Sequence, residues 1–481
     1  MEKVSRGLNA ALLALFSLLL AAAVLLGTVG NLSHRSYLTA LAGALLVLAA
    51  WLRFGGKLPL GDPVRRLGPG KAGALLAAVC LLLHLAGALL LPMEPAGDYK
   101  TFWLTAVDLA KGQPLSLGEY VALFPHILGY SAFLSLFLRL FGPSLWVPAL
   151  LNVALTTASG LLIYSLALRL KDEDAAVFAF LLWILCPSKL LYNSMVLSEP
   201  FYTCLLLLFL RLLAGLDRGF ARRAYPLWKA LCAGLLAAAL LSAVNAARPI
   251  ALIPIIAFLL WLLLLRGEEE RDRLLWRRWL CFAAALLLGY GLLGRAWTGW
   301  ETEVLGEAPP ALPGYSIYVG FNPDTQGAYA DEDMDRLFQL RYGQEGGSAA
   351  DAQAQMLREA EDRIRSGQVD FARLFPAKLR SFLGNDEGGA YYMQEAYPRL
   401  YAPLALLSNL YYYALAALSL LGAWCSRKAK RAGITPNFPL YVIGLTLAHM
   451  LVEVAGRYHY SILPMLILLA AFTRRGEPNR R

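Results

Sequence analysis

LNAALLALFSLLLAAAVLLGTVG (8–30) carries no charged side chain over its whole length. Coiled at about 1.5 Å per residue it makes a rod of roughly 35 Å, enough to cross the hydrocarbon core of a bilayer. A short basic start (Lys3, Arg6) precedes it, as in a signal peptide. The run is long for a signal core, and a second apolar run (36–52) follows almost at once, so it reads as a retained helix. Further runs cover 72–92, 122–141, 145–168, 175–187, 197–215, 229–247, 249–265, 279–297, 402–424, 438–453 and 458–473. With 58% hydrophobic and 16% charged residues, the chain reads as an all-α polytopic membrane protein. The bundle expected has about 12–13 transmembrane helices at that run length.

The net charge of +10 is confined to short loops. Arg53, Lys57, Arg65, Arg66 and Lys71 form one group, and Arg218, Arg222, Arg223 and Lys229 a second. Arg427, Lys428, Lys430 and Arg431 form a third, and Arg474, Arg475, Arg480 and Arg481 a fourth. Such loops mark the cytoplasmic side, so the basic balance speaks for topology and against nucleic acid. The six cysteines lie in or beside apolar runs with no zinc or disulfide spacing, and read as small core residues.

Two segments interrupt the helices, which divides the chain into 1–92, 93–121, 122–297, 298–401 and 402–481. The segment 298–401 is too long for a plain connection and reads as structured. Ser348 followed by Asp351 predicts a helix start, Ala352, Met356, Ala360 and Ile364 continue it, and Gly367 offers a stop. DFARLFPAKLRSFLG (370–384) mixes apolar and basic residues in the manner of an interfacial helix. With the basic loops in the cytoplasm, both segments belong outside. Seven apolar runs then separate two outer loops, and seven is odd. One run fails to cross, with 122–141 and the short 175–187 as the candidates.

The same sidedness gathers polar residues on the outer edge: Asp98, Glu199, Asn245, Arg248, Lys378, Glu453, Arg457, Tyr458 and His459. Ionisable groups near a bilayer are costly unless paired or functional. Each also has a local explanation. Glu453 and Arg457 stand four apart and would neutralise each other on a helix. Glu199 suits a first helical turn ahead of Pro200, and Arg248 suits snorkelling to headgroups. His126 and His459 read as hydrogen-bonded structural residues, and no metal-ligand spacing is present. Taken together, a carboxylate for a hydroxyl proton and cations for a phosphate leaving group point to group transfer from a lipid phosphate. A transporter or lipid-linked glycan flippase is the competing class, with the charges lining a path.

These residues resemble the GT-C glycosyltransferases, in the branch of the dolichyl-phosphate-mannose protein mannosyltransferases and the ArnT-like bacterial enzymes. GDYKTFWLTAVDLAKG (97–112) is similar to the acidic first-loop motif, LSEP (197–200) to the entry of a middle span, and ARPIAL (247–252) to an Arg-Pro turn. GFNPDTQGAY (320–329) and FPAKLRSFLG (375–384) resemble the long outer loop, and RYHYSILP (457–464) the late Arg-Tyr signature. The resemblance implies a GT-C-type bundle acting outside the plasma membrane of a bacterium. It also implies a polyprenyl-phosphate sugar donor and a hydroxyl-bearing glycan, lipid or protein acceptor, with inversion at the anomeric carbon. It makes Asp98 the catalytic base and Arg457, with Lys378 or Arg248, the holder of the donor phosphate. Glu199, Glu453, Tyr458 and His459 would orient the site. Many relatives pair two acidic residues in the first loop, whereas Tyr99 follows Asp98 here. No cofactor is implied with certainty, and a divalent metal is left open.

Overall fold

The computed structural model describes residues 2–55, 58–221, 225–266, 273–343, 346–427 and 433–474. Lys57, Arg222, Arg223, Lys428, Lys430, Arg431, Arg475, Arg480 and Arg481, together with 267–272 of the charged segment before the tenth run, lie outside them.

Among the described residues the protein is all-helical. The first part holds α1 (Glu2–Val29), α2 (Arg35–Phe54), α3 (Asp62–Leu67), α4 (Pro69–Leu90), α5 (Asp98–Lys111), α6 (Gly118–Leu123) and α7 (His126–Phe141). The middle holds α8 (Trp146–Leu170), α9 (Glu173–Ile184), α10 (Pro187–Tyr192), α11 (Glu199–Ala221), α12 (Leu227–Ala247), α13 (Leu252–Leu260) and α14 (Arg273–Leu305). The long loop folds into α15 (Gly314–Gly320), α16 (Asp331–Tyr342), α17 (Ala349–Arg365), α18 (Phe371–Leu383) and α19 (Gly388–Met393). The chain closes with α20 (Pro398–Ser426), α21 (Asn437–Leu451), a 3₁₀ segment (Gly456–Ile462) and α22 (Leu463–Ala470).

Among the described residues eight helices are long and apolar enough to cross a membrane: α1, α2, α4, α8, α11, α12, α14 and α20. Their outward faces are rich in exposed leucine, as at Leu82, Leu90, Leu288 and Leu292, which a lipid solvent accounts for. Side-chain contacts fix two ends of the bundle. At the basic end, Ser5 on α1 bonds Leu265 O (2.9 Å), Arg266 pairs with Asp217 of α11 (3.2 Å), and Trp51 of α2 donates to Thr473 (3.0 Å). At the other end stand Glu199, Arg248 and Arg457. Among the described residues the shorter apolar helices are α7, Leu252–Leu265 and α21.

The contacts also settle which run does not cross. Asn152, early in α8, donates to Met195 O (2.7 Å), four residues before Glu199, so α8 begins at the Glu199 end. His126, the first residue of α7, faces Asp98 and Arg248 at that same end. Thus α7 starts and finishes on one side. It lies beside α5 and runs in the same direction, joined by Ser131 Oγ to Phe102 O (3.1 Å) and Arg139 to Leu109 O (2.7 Å). Of the two candidate runs, 122–141 is thus the one that returns to its starting side, and 175–187 is realised as α9, about 18 Å long.

The expected helix start at Ser348 is a reciprocal cap: Ser348 Oγ accepts from Asp351 N (3.1 Å) while Asp351 accepts from Ser348 N (3.0 Å). This loop unit is tied down at both flanks. Arg341 bridges Glu307 and Glu119 at 2.6 Å each, and Gln353 donates to Leu123 O (3.0 Å) while accepting from Tyr315 N (2.7 Å). A second, smaller core forms where Tyr315, Val319, Leu337, Ala352 and Met356 close over Ala122 and Leu123.

Candidate active site

Gly97 takes φ +52°, a conformation that side chains resist, and this turns the chain into α5 with Asp98 as its first residue. The helix N-terminus favours a carboxylate there. The Asp98 side chain is half exposed, yet it accepts a hydrogen bond from Arg457, the second residue of the 3₁₀ segment. Burial alone would raise the Asp98 pKa; the charge and hydrogen bond of Arg457, with Arg248 and His126 beyond, outweigh it and hold the carboxyl below its ordinary value.

Arg457 is buried and walled by aromatic rings: Tyr99 at 5.4 Å, and Tyr392 and Tyr458 at 5.5 Å from the guanidinium. Its Nε makes no hydrogen bond and stands 4.0 Å from Glu199 Oε1. Glu199, the first residue of α11, is itself buried, so the guanidinium lies between an inner carboxylate and an outer one. Arg248, released from α12 by Pro249, lies 4.1 Å above the Tyr458 ring. The Tyr458 hydroxyl donates to Glu453 (3.0 Å), and His449 stacks on the same ring at 5.2 Å.

The local Glu453–Arg457 pair that their spacing suggests does not form. The helix stops at Leu451, the chain is extended through Val452, and Glu453 turns to Tyr458 while Arg457 reaches Asp98. Burial pushes the Glu453 pKa up, with the Tyr458 hydrogen bond and Arg457 opposing it.

Lys378 calls for a correction. Its ammonium is fully buried and donates to Gly320 O (2.7 Å), Val452 O (2.7 Å) and Met450 O (3.0 Å). A lysine has three N–H donors, and all three are spent on carbonyls, leaving none for a phosphate. Gly327 closes over it at φ +79°, where an added Cβ would meet the lysine Cδ at 2.9 Å. Lys378 thus rivets the loop to the end of α21. Lys378→Met is expected to leave three buried carbonyls unpaired, at about 1–3 kcal/mol each. Thermal unfolding should show the loss.

His459 also serves the scaffold. It contacts Phe382 O through Nδ1 (2.7 Å) and Asp386 through Nε2 (3.1 Å), and it lies against Tyr412. Sequence reasoning passed over Tyr392 and Asp386. GGAYYM (388–393) offered a signal in its paired tyrosines, but nothing local told that one would cover Arg457. Among the described residues no three of His, Cys, Asp and Glu converge as metal donors. Among the described residues Asp98 is engaged by Arg457 and Glu453 by Tyr458.

No protein-family model matches the chain, and no curated protein matches it. Solved structures that resemble it include the Archaeoglobus fulgidus oligosaccharyltransferase AglB in complex with an inhibitory peptide and a dolichol-phosphate. That likeness has 12% identity and a TM-score of 0.36, over 85% of this chain and 56% of that one. The Archaeoglobus fulgidus oligosaccharyltransferase tethered to an acceptor peptide shows 14% identity and the same score and coverage. The chain therefore spans just over half the length of these enzymes.

Proposed function

We propose that the protein is a membrane glycosyltransferase of the GT-C type. It moves a sugar from a polyprenyl-phosphate donor to a hydroxyl of an envelope glycan, lipid or protein on the outer face of the membrane. The observation that carries this reading is the buried Arg457, held between the half-exposed Asp98 and the buried Glu199. In the free protein Asp98 occupies the place of an anion on Arg457. A donor phosphate competes for that guanidinium with better charge and a second oxygen, and so displaces the carboxylate. Asp98, released, accepts the acceptor's proton as its oxygen attacks the anomeric carbon. The bond from that carbon to the phosphate oxygen breaks, and the leaving phosphate keeps the electron pair and rests on Arg457. Attack opposite the leaving group inverts the anomeric centre. Glu199 fixes the inner edge of the guanidinium, and Arg248 and Tyr458 steady its neighbour Glu453. A transporter or flippase calls for a polar path from end to end; the charged groups of this site collect at one end.

The exchange has a pH signature. The base works deprotonated, so activity falls as pH drops through its pKa. In the free enzyme that pKa lies below the usual carboxylate value because of Arg457. With phosphate on Arg457 it returns upward. The acid limb of kcat, which reports the donor complex, is expected at higher pH than the acid limb of kcat/KM. Initial rates of transfer from radiolabelled polyprenyl-phosphate sugars across pH 3–7 measure both, and coincident limbs would refute the exchange.

A further inference from the structure

At the basic end, α8, α11 and α12 border an open pocket of about 480 Å³ lined by Arg169, Arg211, Lys229, Tyr225, Trp228 and Cys232. It is remote from the candidate active site. Arg211 lies twelve residues along α11 from Glu199, about 18 Å at the helical rise, and Lys229 lies about 28 Å along α12 from Arg248.

Among the described residues three cations line it and no carboxylate does. Asp217 of α11 is turned away to Arg266 (3.2 Å). Arg211 gives only its Nε, to Ser165 Oγ (2.6 Å), and Arg169 reaches Ala214 O at 3.5 Å. Lys229 sits 5.0 Å from the Tyr225 ring and 5.7 Å from that of Trp228. Neutral partners leave this charge uncompensated, which points to an anion. Leu227, Leu231 and Leu235 recur at every fourth position of α12 and are 45–49% exposed, forming an apolar track that leads from the cavity along the outside of the bundle. A cationic cavity continuous with such a track fits a phosphate group attached to acyl chains.

We propose that this cavity binds the phosphate headgroup of an anionic phospholipid, its acyl chain lying along Leu227, Leu231 and Leu235. The site is independent of the glycosyl-transfer reading and stands if that reading fails.

Cys232 provides the test, as the one exposed cysteine of the six and a lining residue. The purified full chain in detergent micelles is treated with N-ethylmaleimide, and Cys232 modification is followed by peptide mass. Added phosphatidylglycerol at ten times its dissociation constant should slow labelling about tenfold. Lys229→Gln, at an exposed position, and Arg169→Gln/Arg211→Gln should each lose most of that protection. Equal protection by phosphatidylcholine would overturn the charge argument, and equal protection by inorganic phosphate would overturn the lipid as ligand. Protection that survives both variants would overturn the site. Phosphatidylglycerol-specific quantities of co-purified lipid, lowered in the Lys229→Gln protein, give a second reading that does not depend on labelling.

Discussion

Asp98→Asn is expected to reduce sugar transfer by about 10²- to 10⁴-fold, the usual contribution of a positioned base. The substitution keeps the shape of the side chain and its place at the head of α5, and the residue is half exposed, so folding should survive. What distinguishes this prediction from a general loss of function is the donor side. A neutral amide no longer competes for Arg457, and the guanidinium is left with only Glu199 at 4.0 Å. Donor affinity should therefore rise while turnover collapses. Equilibrium binding of a non-transferable polyprenyl-phosphate analogue, set beside single-turnover rates of the same protein, separates the two effects. Near wild-type turnover in the folded variant would remove Asp98 as the base. Collapsed turnover with weakened binding would remove the competition between carboxylate and phosphate.

Arg457→Gln should cost at least as much. Loss of a single donor to a developing anion typically lowers kcat by about 10²- to 10³-fold, and here the only buried guanidinium between the two carboxylates goes with it. Glu199 is buried, and without Arg457 the cations left near it are Arg248 and the buried Lys189. A second effect on stability is expected, since leaving one member of a buried pair costs about 3–5 kcal/mol. Arg457→Lys tests the geometry, because a lysine cannot span Asp98 and Glu199 from within the cage of Tyr99, Tyr392 and Tyr458. Partial recovery of thermal stability without recovery of kcat is the expected result. A lysine variant with wild-type kcat would show that only charge at this position matters.

The helices were legible because hydrocarbon thickness imposes a length that the apolar runs display openly. The basic loops predict one cytoplasmic end, and Arg266 and Arg474 do stand at the end opposite Glu199, Arg248 and Arg457. The parity problem was visible too, yet its solution was not: α7 is as apolar as the spanning α8 and α20, and only its contacts with α5 show that it lies along one end. In the candidate site, Asp98, Glu199, Arg248 and Arg457 announced themselves as charges at apolar edges. Their pairing did not. Glu453 and Arg457 look like partners at helical spacing, and the break after Leu451, invisible to periodicity, sends them apart. Lys378 misled for a related reason. A lysine at a membrane edge reads as a surface cation, and nothing nearby in sequence reveals that Gly320, Met450 and Val452 will present three carbonyls to it.

Asp98 and Arg457 are 359 positions apart in the chain. At about 5–20 residues per second, a ribosome needs roughly 20–70 s between them. Throughout that interval the first carboxylate is already in the membrane while its cation does not yet exist. The central helices therefore insert around an incomplete centre, and the loop rivet at Lys378 closes only once α21 has been made. On the proposed mechanism, a chain that stops before the last spans lacks Arg457 and is expected to be catalytically silent rather than partly active.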